Sequence, residues 1–261
     1  MQTIGHTGRL SSHLASRIET QTRDPDWTLA NFTFVASVTT LAAECDIAHS
    51  PSMSVASSHS LPRARLAFFG ESAELLANYA TFLVDPNSEI ELLVAESQRT
   101  VAETAFKVLH SEPQWQMVFH GNPEEADSGL AAELADNDLA AMQALARNEH
   151  VELLFATKDP FEQGPAFGIW EKHKLVAMGT TDLRLPGAVQ IGNIVAQQTP
   201  DGHTYRANIA AAFIKAYADQ NVKIFIIVNQ HDEEAIRLLE KLGFTRERPM
   251  YRMRCVLKDN F

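Results

Sequence analysis

The sequence predicts an α/β fold in which a mixed sheet is flanked by helices, and three observations carry that expectation. Residues 188–244 read as strand, turn, helix, strand, helix. Residues 65–119 show the same alternation a second time. The 261 residues are 45% hydrophobic, enough for a sizeable core, in one large domain or two small ones. The net charge of −11 argues against nucleic acid as a general partner, because neutralising phosphates needs a basic face. An acidic surface would attract a cationic amine or simply keep the chain soluble.

Residues 1–41 predict one or two helices, one around Leu10, Leu14, Arg17 and Ile18 and a second starting at Asp24-Pro25-Asp26-Trp27. Residues 44–62 are rich in Ser, Ala and His with Pro51 and Pro62, and read as a surface loop or crossing segment, with an internal strand as the alternative. Residues 66–69 predict a strand, 72–82 a helix, 90–95 a strand, 99–109 a helix and 115–119 a strand. Residues 121–129, with Asn122-Pro123-Glu124-Glu125, are a polar connector and the expected boundary between domains 1–122 and 130–261. Asp136 or Asp138 is expected to cap a helix running to about Ala146. Residues 167–170 and 174–182 form a hairpin over Glu171-Lys172-His173, and residues 250–257 alternate as a half-exposed final strand. Only Cys45 and Cys255 are present, so no disulfide framework or metal-binding CxxC can be read. No run approaches the roughly 18 apolar residues of a membrane helix, and the N-terminus lacks a signal-peptide core. Neither a membrane nor a metal is expected, and a reducing cytoplasm fits.

The most informative stretch begins with the apolar strand 188–196. The turn Thr199-Pro200-Asp201-Gly202 ends it, and a helix follows with Ile209, Ala212, Phe213 and Ala216 on one face. Residues 223–228 are too apolar for a half-exposed strand. The next helix puts Ala235, Leu238, Leu239 and Leu242 on one face, with Glu233 and Glu234 in its first turn and Gly243 as its C-cap. Strand, crossover helix and strand of this length make a right-handed βαβ unit, whose first loop gathers unpaired N–H groups at a helix N-terminus. Such a point attracts a phosphate. The candidate donors are the backbone amides of Gly202, His203, Thr204, Tyr205 and Arg206, with Thr204 as N-cap. An ordinary type I turn with no ligand explains the same residues.

Residues 167–251 resemble the acyl-CoA-binding lobe of the GNAT superfamily of N-acetyltransferases. The resemblance rests on Phe167-Gly168-Ile169-Trp170, Lys174-Leu175-Val176-Ala177-Met178-Gly179, Leu183-Arg184-Leu185-Pro186-Gly187, the loop from Gly202 to Ala207, and Ala235-Ile236-Arg237-Leu238-Leu239-Glu240-Lys241-Leu242-Gly243-Phe244. The last is the most specific. Residues 65–119 are similar, by pattern, to the degenerate first lobe of a two-lobed branch, which in that branch helps shape the acceptor cleft. The loop departs from the usual Arg-Gly-x-Gly by carrying Thr204 at the second Gly and running about two residues short. Asp232 stands where the family often has Asn, and Leu239 where it often has a Tyr acting as general acid.

The resemblance implies a GNAT-like acyl-CoA N-acyltransferase fold, acetyl-CoA as co-substrate, and direct attack by the amine of a small molecule or peptide in a ternary complex. It implies that the Val195 amide polarises the thioester carbonyl, that Ala196 and Gln197 pair with the pantetheine arm, and that the helix running to about Ala146 and the loop 149–163 border the acceptor. Tyr205 is placed to contact the cofactor, Asn229 is either a pantetheine contact or a strand-end turn residue, and Asp232 counts with the cofactor contacts. Candidate bases are Asp182, His231, and Glu149 or Glu152, with water as a further route. Tyr251 is the candidate acid; if it does not reach the sulfur, water must protonate the thiolate and turnover is slow. The rival reading is a non-catalytic acyl-CoA-binding or regulatory protein; a third, a nucleotide-binding α/β domain, predicts comparable stabilisation by ATP. A homodimer is compatible with the sequence, which does not fix the oligomeric state.

Overall fold

Alternating burial along the strands, and a continuous apolar face along the helices, organise the chain. The computed structural model describes residues 3–5, 12–39, 45–58, 64–85, 87–151, 153 and 159–258. In chain order these form β1 (Thr3–Gly5), α1 (Ser12–Gln21), α2 (Pro25–Ala30), α3 (Phe32–Val38), β2 (Cys45–His49), β3 (Met53–Ser58), β4 (Ala64–Gly70), α4 (Ala73–Leu83), β5 (Ile90–Ala95), α5 (Glu96–Ala105) and β6 (Phe106–Phe119). They continue as β7 (Ala132–Leu134), α6 (Leu139–Asn148), β8 (Ala166–Glu171), β9 (Lys174–Leu185), β10 (Ala188–Ala196), α7 (Gly202–Tyr217), β11 (Lys223–Asn229), α8 (Glu233–Lys241) and β12 (Phe244–Leu257). Two compact units result. The first holds Met1–Trp115, Leu185–Gly187 and Arg248–Phe261, the second Gln116–Arg184 and Ala188–Glu247.

In the first unit the strands neighbour one another in the order β1-β2-β3-β4-β5-β12. β4 and β5 are parallel, and the other pairs are antiparallel. Leu14 and Ile18 of α1 and Phe34 and Val38 of α3 pack on Ile47, Ala56 and Ala67 on one face. Leu76, Tyr79 and Leu83 of α4 and Ala102 and Ala105 of α5 pack on Val55, Leu66, Phe68 and Leu92 on the other. α2 starts on Asp24, whose side chain accepts the Asp26 N–H, with Pro25 in the first turn. Two expectations are refined here. Within 44–62 the described residues 45–58 form β2 and β3, the internal-strand alternative, and all six residues of β3 are buried, Ser54, Ser57 and Ser58 included. Their small side chains let helices pack closely on both faces of a central strand, which a composition-based reading mistakes for a turn. The helix expected over 99–109 starts earlier and ends at Ala105, because Phe106 takes up an extended conformation and begins β6. A short apolar run such as Phe106-Lys107-Val108-Leu109 fits either period.

In the second unit the order is β11-β10-β9-β8-β7. Alternate residues of β9 face opposite sides. Met178 packs with Met142 and Leu145 of α6, while the Thr181 hydroxyl and the Tyr217 hydroxyl of α7 lie 2.8 Å apart. Phe167 of β8 meets Phe213 of α7 edge-on at 4.9 Å, so α7 covers the face opposite α6. α8 is the amphipathic helix the sequence predicts, with Ile236 and Leu239 buried, the Asp232 side chain accepting the Ala235 N–H, and Gly243 closing it at φ 96°. α7 begins at Gly202 with Asp201 as N-cap, so Thr204 lies inside the first turn and is not the cap. Asp138 stands before α6, but its carboxylate accepts the Ala135 N–H at 2.9 Å and does not cap the helix. No helix among the described residues is long and apolar enough to cross a membrane.

Candidate active site

β10 and β11 are parallel neighbours for only part of their length. The ladder joins Ala188, Val189 and Gln190 to Lys223, Ile224 and Phe225, yet β10 runs on to Ala196 and β11 to Asn229. Past Gln190, β10 carries Asn193, whose backbone is left-handed at φ 48°, a conformation Asn tolerates better than most side chains. Farther on, the Gln197 N–H donates to the Val176 oxygen of β9 at 2.9 Å, and the Gln197 oxygen accepts the Thr199 N–H at 2.8 Å. The backbone of Gln197 is thus engaged internally, which corrects its expected pairing with a pantetheine arm. Strand alternation turns the Val195 amide toward β9 as well, and the amides of Ile194 and Ala196 toward the β11 side.

At the end of this opening stands α7. The Gly202 N–H donates to the Thr199 oxygen at 2.9 Å and the Tyr205 N–H to the Asp201 oxygen at 3.0 Å, while the Asp201 side chain makes no capping bond. Among the first-turn amides, those of His203 and Thr204 remain for an anion. A Cβ on Gly202 would sit 2.4 Å from the Gln197 oxygen, so glycine is required where the turn crosses the end of β10. Thr204 is exposed and meets no such constraint, which explains why a side chain is tolerated at the second glycine of the usual pattern. The backbone therefore fits a diphosphate. The side chains around it are less favourable: His203 and Arg206 of α7 both pair with Glu234 of α8, Arg206 at 3.7 Å. The Tyr205 hydroxyl donates to Glu171 of β8, which pushes its pKa up to about 12 and keeps it neutral.

On the α6 side of the sheet a second group forms. Asp182 of β9 accepts the Thr180 hydroxyl at 2.8 Å and Asn193 Nδ2 at 2.8 Å, both on Oδ1, and Asn193 Nδ2 also reaches Thr180 Oγ1 at 2.9 Å. Residue-type reasoning pointed to Asp182 and passed over Asn193, Gly192 and Thr180. Gly-Asn inside an apolar strand run is the available signal, because Asn accepts a left-handed backbone.

The other expected residues are arranged as follows. Asn229 accepts the His231 N–H on its Oδ1 at 2.9 Å and Asp232 caps α8, so these three residues build the turn into that helix. Glu149 accepts the Gln198 N–H at 3.3 Å. Glu152 lies outside the described residues. Leu239 is buried in the core and has no proton to give. Tyr251 belongs to the first unit, where it pairs with Val94, lies under the Arg99 guanidinium at 4.3 Å and points its hydroxyl at Glu96. Among the described residues no group of three or more His, Cys, Asp or Glu is placed to hold a metal ion.

Residues 166–253 match the family model described as FR47-like protein. No curated protein matches the sequence. Among solved structures, a protein of Novosphingobium aromaticivorans described as a GNAT-family acetyltransferase is 21% identical and superposes with a TM-score of 0.59, over 78% of this chain and 88% of that one. A GCN5-related N-acetyltransferase from Kribbella flavida gives 12% identity and 0.62, over 87% and 95%. A GNAT-family acetyltransferase from Colwellia psychrerythraea gives 13% and 0.58, over 98% and 99%. At these identities the likeness is one of fold. The likeness extends over most of the chain and shows a GNAT-like fold, within which residues 166–253 match the FR47-like model.

Proposed function

We propose that this chain is an N-acyltransferase that moves an acetyl group from acetyl-CoA to the amine of a small molecule or peptide. The observation that carries the proposal is the early end of the β10–β11 ladder beside the uncapped N-terminus of α7. Acetyl-CoA, when bound, supplies the acyl group already activated as a thioester. The His203 and Thr204 amides hold its diphosphate, with Gly202 permitting the turn. The Ile194 and Ala196 amides face the opening, where they pair with an extended arm as a neighbouring strand would and polarise a carbonyl. Asp182 is the carboxylate assigned to the acceptor amine, ahead of His231, which sits in the turn into α8. Direct attack suits the thiols: Cys45 and Cys255 are buried, and burial pushes the Cys255 pKa up to about 12. A cytoplasmic setting fits the co-substrate.

Leu239 favours a second reading, an acyl-CoA-binding protein without turnover, because no side chain at that position can protonate a departing thiolate. Thermal shift with acetyl-CoA, followed by thiol release against a panel of amines, separates the two. Stabilisation with release supports the transferase and stabilisation without release the binding protein. Comparable stabilisation by ATP would leave only a nonspecific phosphate site.

A further inference from the structure

In the first unit, β12 turns its arginines away from α4 and α5. Met253 and Cys255 lie in the α4–α5 core, so strand alternation puts Arg252 and Arg254 on the opposite face of the sheet. Over β2, β3 and β4 that face is packed by α1 and α3, in a cluster that among the described residues includes none of β5 or β12. Two of the arginines there are matched by carboxylates. Arg65 of β4 pairs with Glu91 of β5 at 3.3 Å, and Arg254, the register partner of Glu91, pairs with Glu89 at 3.7 Å.

Arg252 differs from both. Its register partner on β5 is Leu93, so the neighbouring strand offers it an apolar side chain and no acceptor. Its Nε is buried and makes no hydrogen bond, and among the described residues no carboxylate pairs with its guanidinium. The side chain as a whole is only half-buried, so a ligand can reach it. A guanidinium keeps its charge at any physiological pH, and a buried N–H without an acceptor costs stability until one is supplied. The Nε–H and an Nη–H together form a side of the fork that matches the two oxygens of a carboxylate.

We propose that Arg252 anchors a small carboxylate with an apolar body, bound on the face of β5 and β12 opposite α4 and α5. One unmatched positive charge suits one negative charge, and Glu89 and Glu91 nearby oppose the second charge of a phosphate. Leu93, itself half-exposed, gives the apolar body a surface to lie on. The site lies wholly in the first unit and does not depend on the acyltransferase reading.

Calorimetric titration of the full chain with hexanoate, acetate and inorganic phosphate tests the assignment. Hexanoate should bind about 5- to 10-fold more tightly than acetate, through the methylenes it buries, and phosphate more weakly than hexanoate. Arg252→Met should weaken hexanoate about 10- to 100-fold, and Arg252→Lys, which keeps the charge and loses the fork, about fivefold. Arg254→Gln should leave hexanoate within about twofold, because Glu89 already takes up that guanidinium. Without ligand, Arg252→Met should raise the Tm by about 1–2 °C by removing an uncompensated charge, whereas an arginine that merely supports the fold would lower it. No hexanoate binding by the wild type, or phosphate binding as tightly as hexanoate, overturns the proposal with no variant needed. Undiminished hexanoate binding in Arg252→Met or Arg252→Lys, or a lowered Tm in Arg252→Met, overturns it as well.

Discussion

Each unit contains a parallel strand pair whose ladder joins three residues of each strand. In the first, Ala64, Arg65 and Leu66 pair with Ile90, Glu91 and Leu92, and β4 continues with Ala67, Phe68 and Phe69. In the second, Ala188, Val189 and Gln190 pair with Lys223, Ile224 and Phe225, and β10 continues with Ile191, Gly192 and Asn193. In the first, Phe68 is buried in the α4–α5 core, and its carbonyl accepts the Gln98 side-chain amide at 3.4 Å. The second has Gly192 and the left-handed Asn193 there, with the Asp182 carboxylate lying over the glycine. Backbone groups that leave a ladder need other partners. In the first unit the Gln98 side chain is such a partner; in the second, the proposed acetyl-CoA arm would be one.

The contrast can be broken most strongly at Phe68. Phe68→Ala should cost about 3–5 kcal/mol of stability by leaving a cavity, read as a lower denaturation midpoint. The added stabilisation by acetyl-CoA should stay unchanged, because Phe68 belongs to a structural core; a variant that gained a second acetyl-CoA site would show that the packing alone had blocked one. Next comes Gly202→Ala. Helix propensity alone would favour alanine by about 1 kcal/mol. The contact with the Gln197 oxygen reverses the sign, so calorimetry should find acetyl-CoA binding weakened about tenfold, near 1.4 kcal/mol.

Glu234→Gln sharpens the comparison in the opposite direction. Releasing His203 and Arg206 and removing a negative charge beside α7 should tighten acetyl-CoA binding about 2- to 5-fold at low salt, less as salt screens the charges. The smallest effect is expected where the second unit's β6 segment meets β12. His120 bonds Glu247 at 2.7 Å and holds its carboxyl below the usual range, with Thr245 assisting. A depressed carboxyl contributes stability above its unfolded pKa of about 4.3 and loses it as pH falls through the folded value. His120→Gln should therefore lower the Tm by about 1 °C at pH 6, with the gap closing below pH 3; both side chains are more than 40% exposed, so only a few tenths of a kcal/mol are at stake. A gap that persisted at pH 2.5 would assign the effect to packing.

Taken alone, the sequence determined the second unit's βαβ unit almost residue for residue. The strand at Ala188–Ala196 and the helix capped by Gly243 follow from apolar period and turn chemistry, which are local. The resemblance over 167–251 nearly coincides with the matched segment 166–253. Tertiary structure alone decided that β3 is a buried strand, since Ser and Ala reveal their role only once helices cover both faces. It also decided that the Gln197 N–H is spent within the sheet, on the Val176 oxygen. The setting of Asp182 was likewise out of reach of sequence: a carboxylate fits over Gly192 only where β9 brings residue 182 alongside it, and no spacing along the chain encodes that juxtaposition.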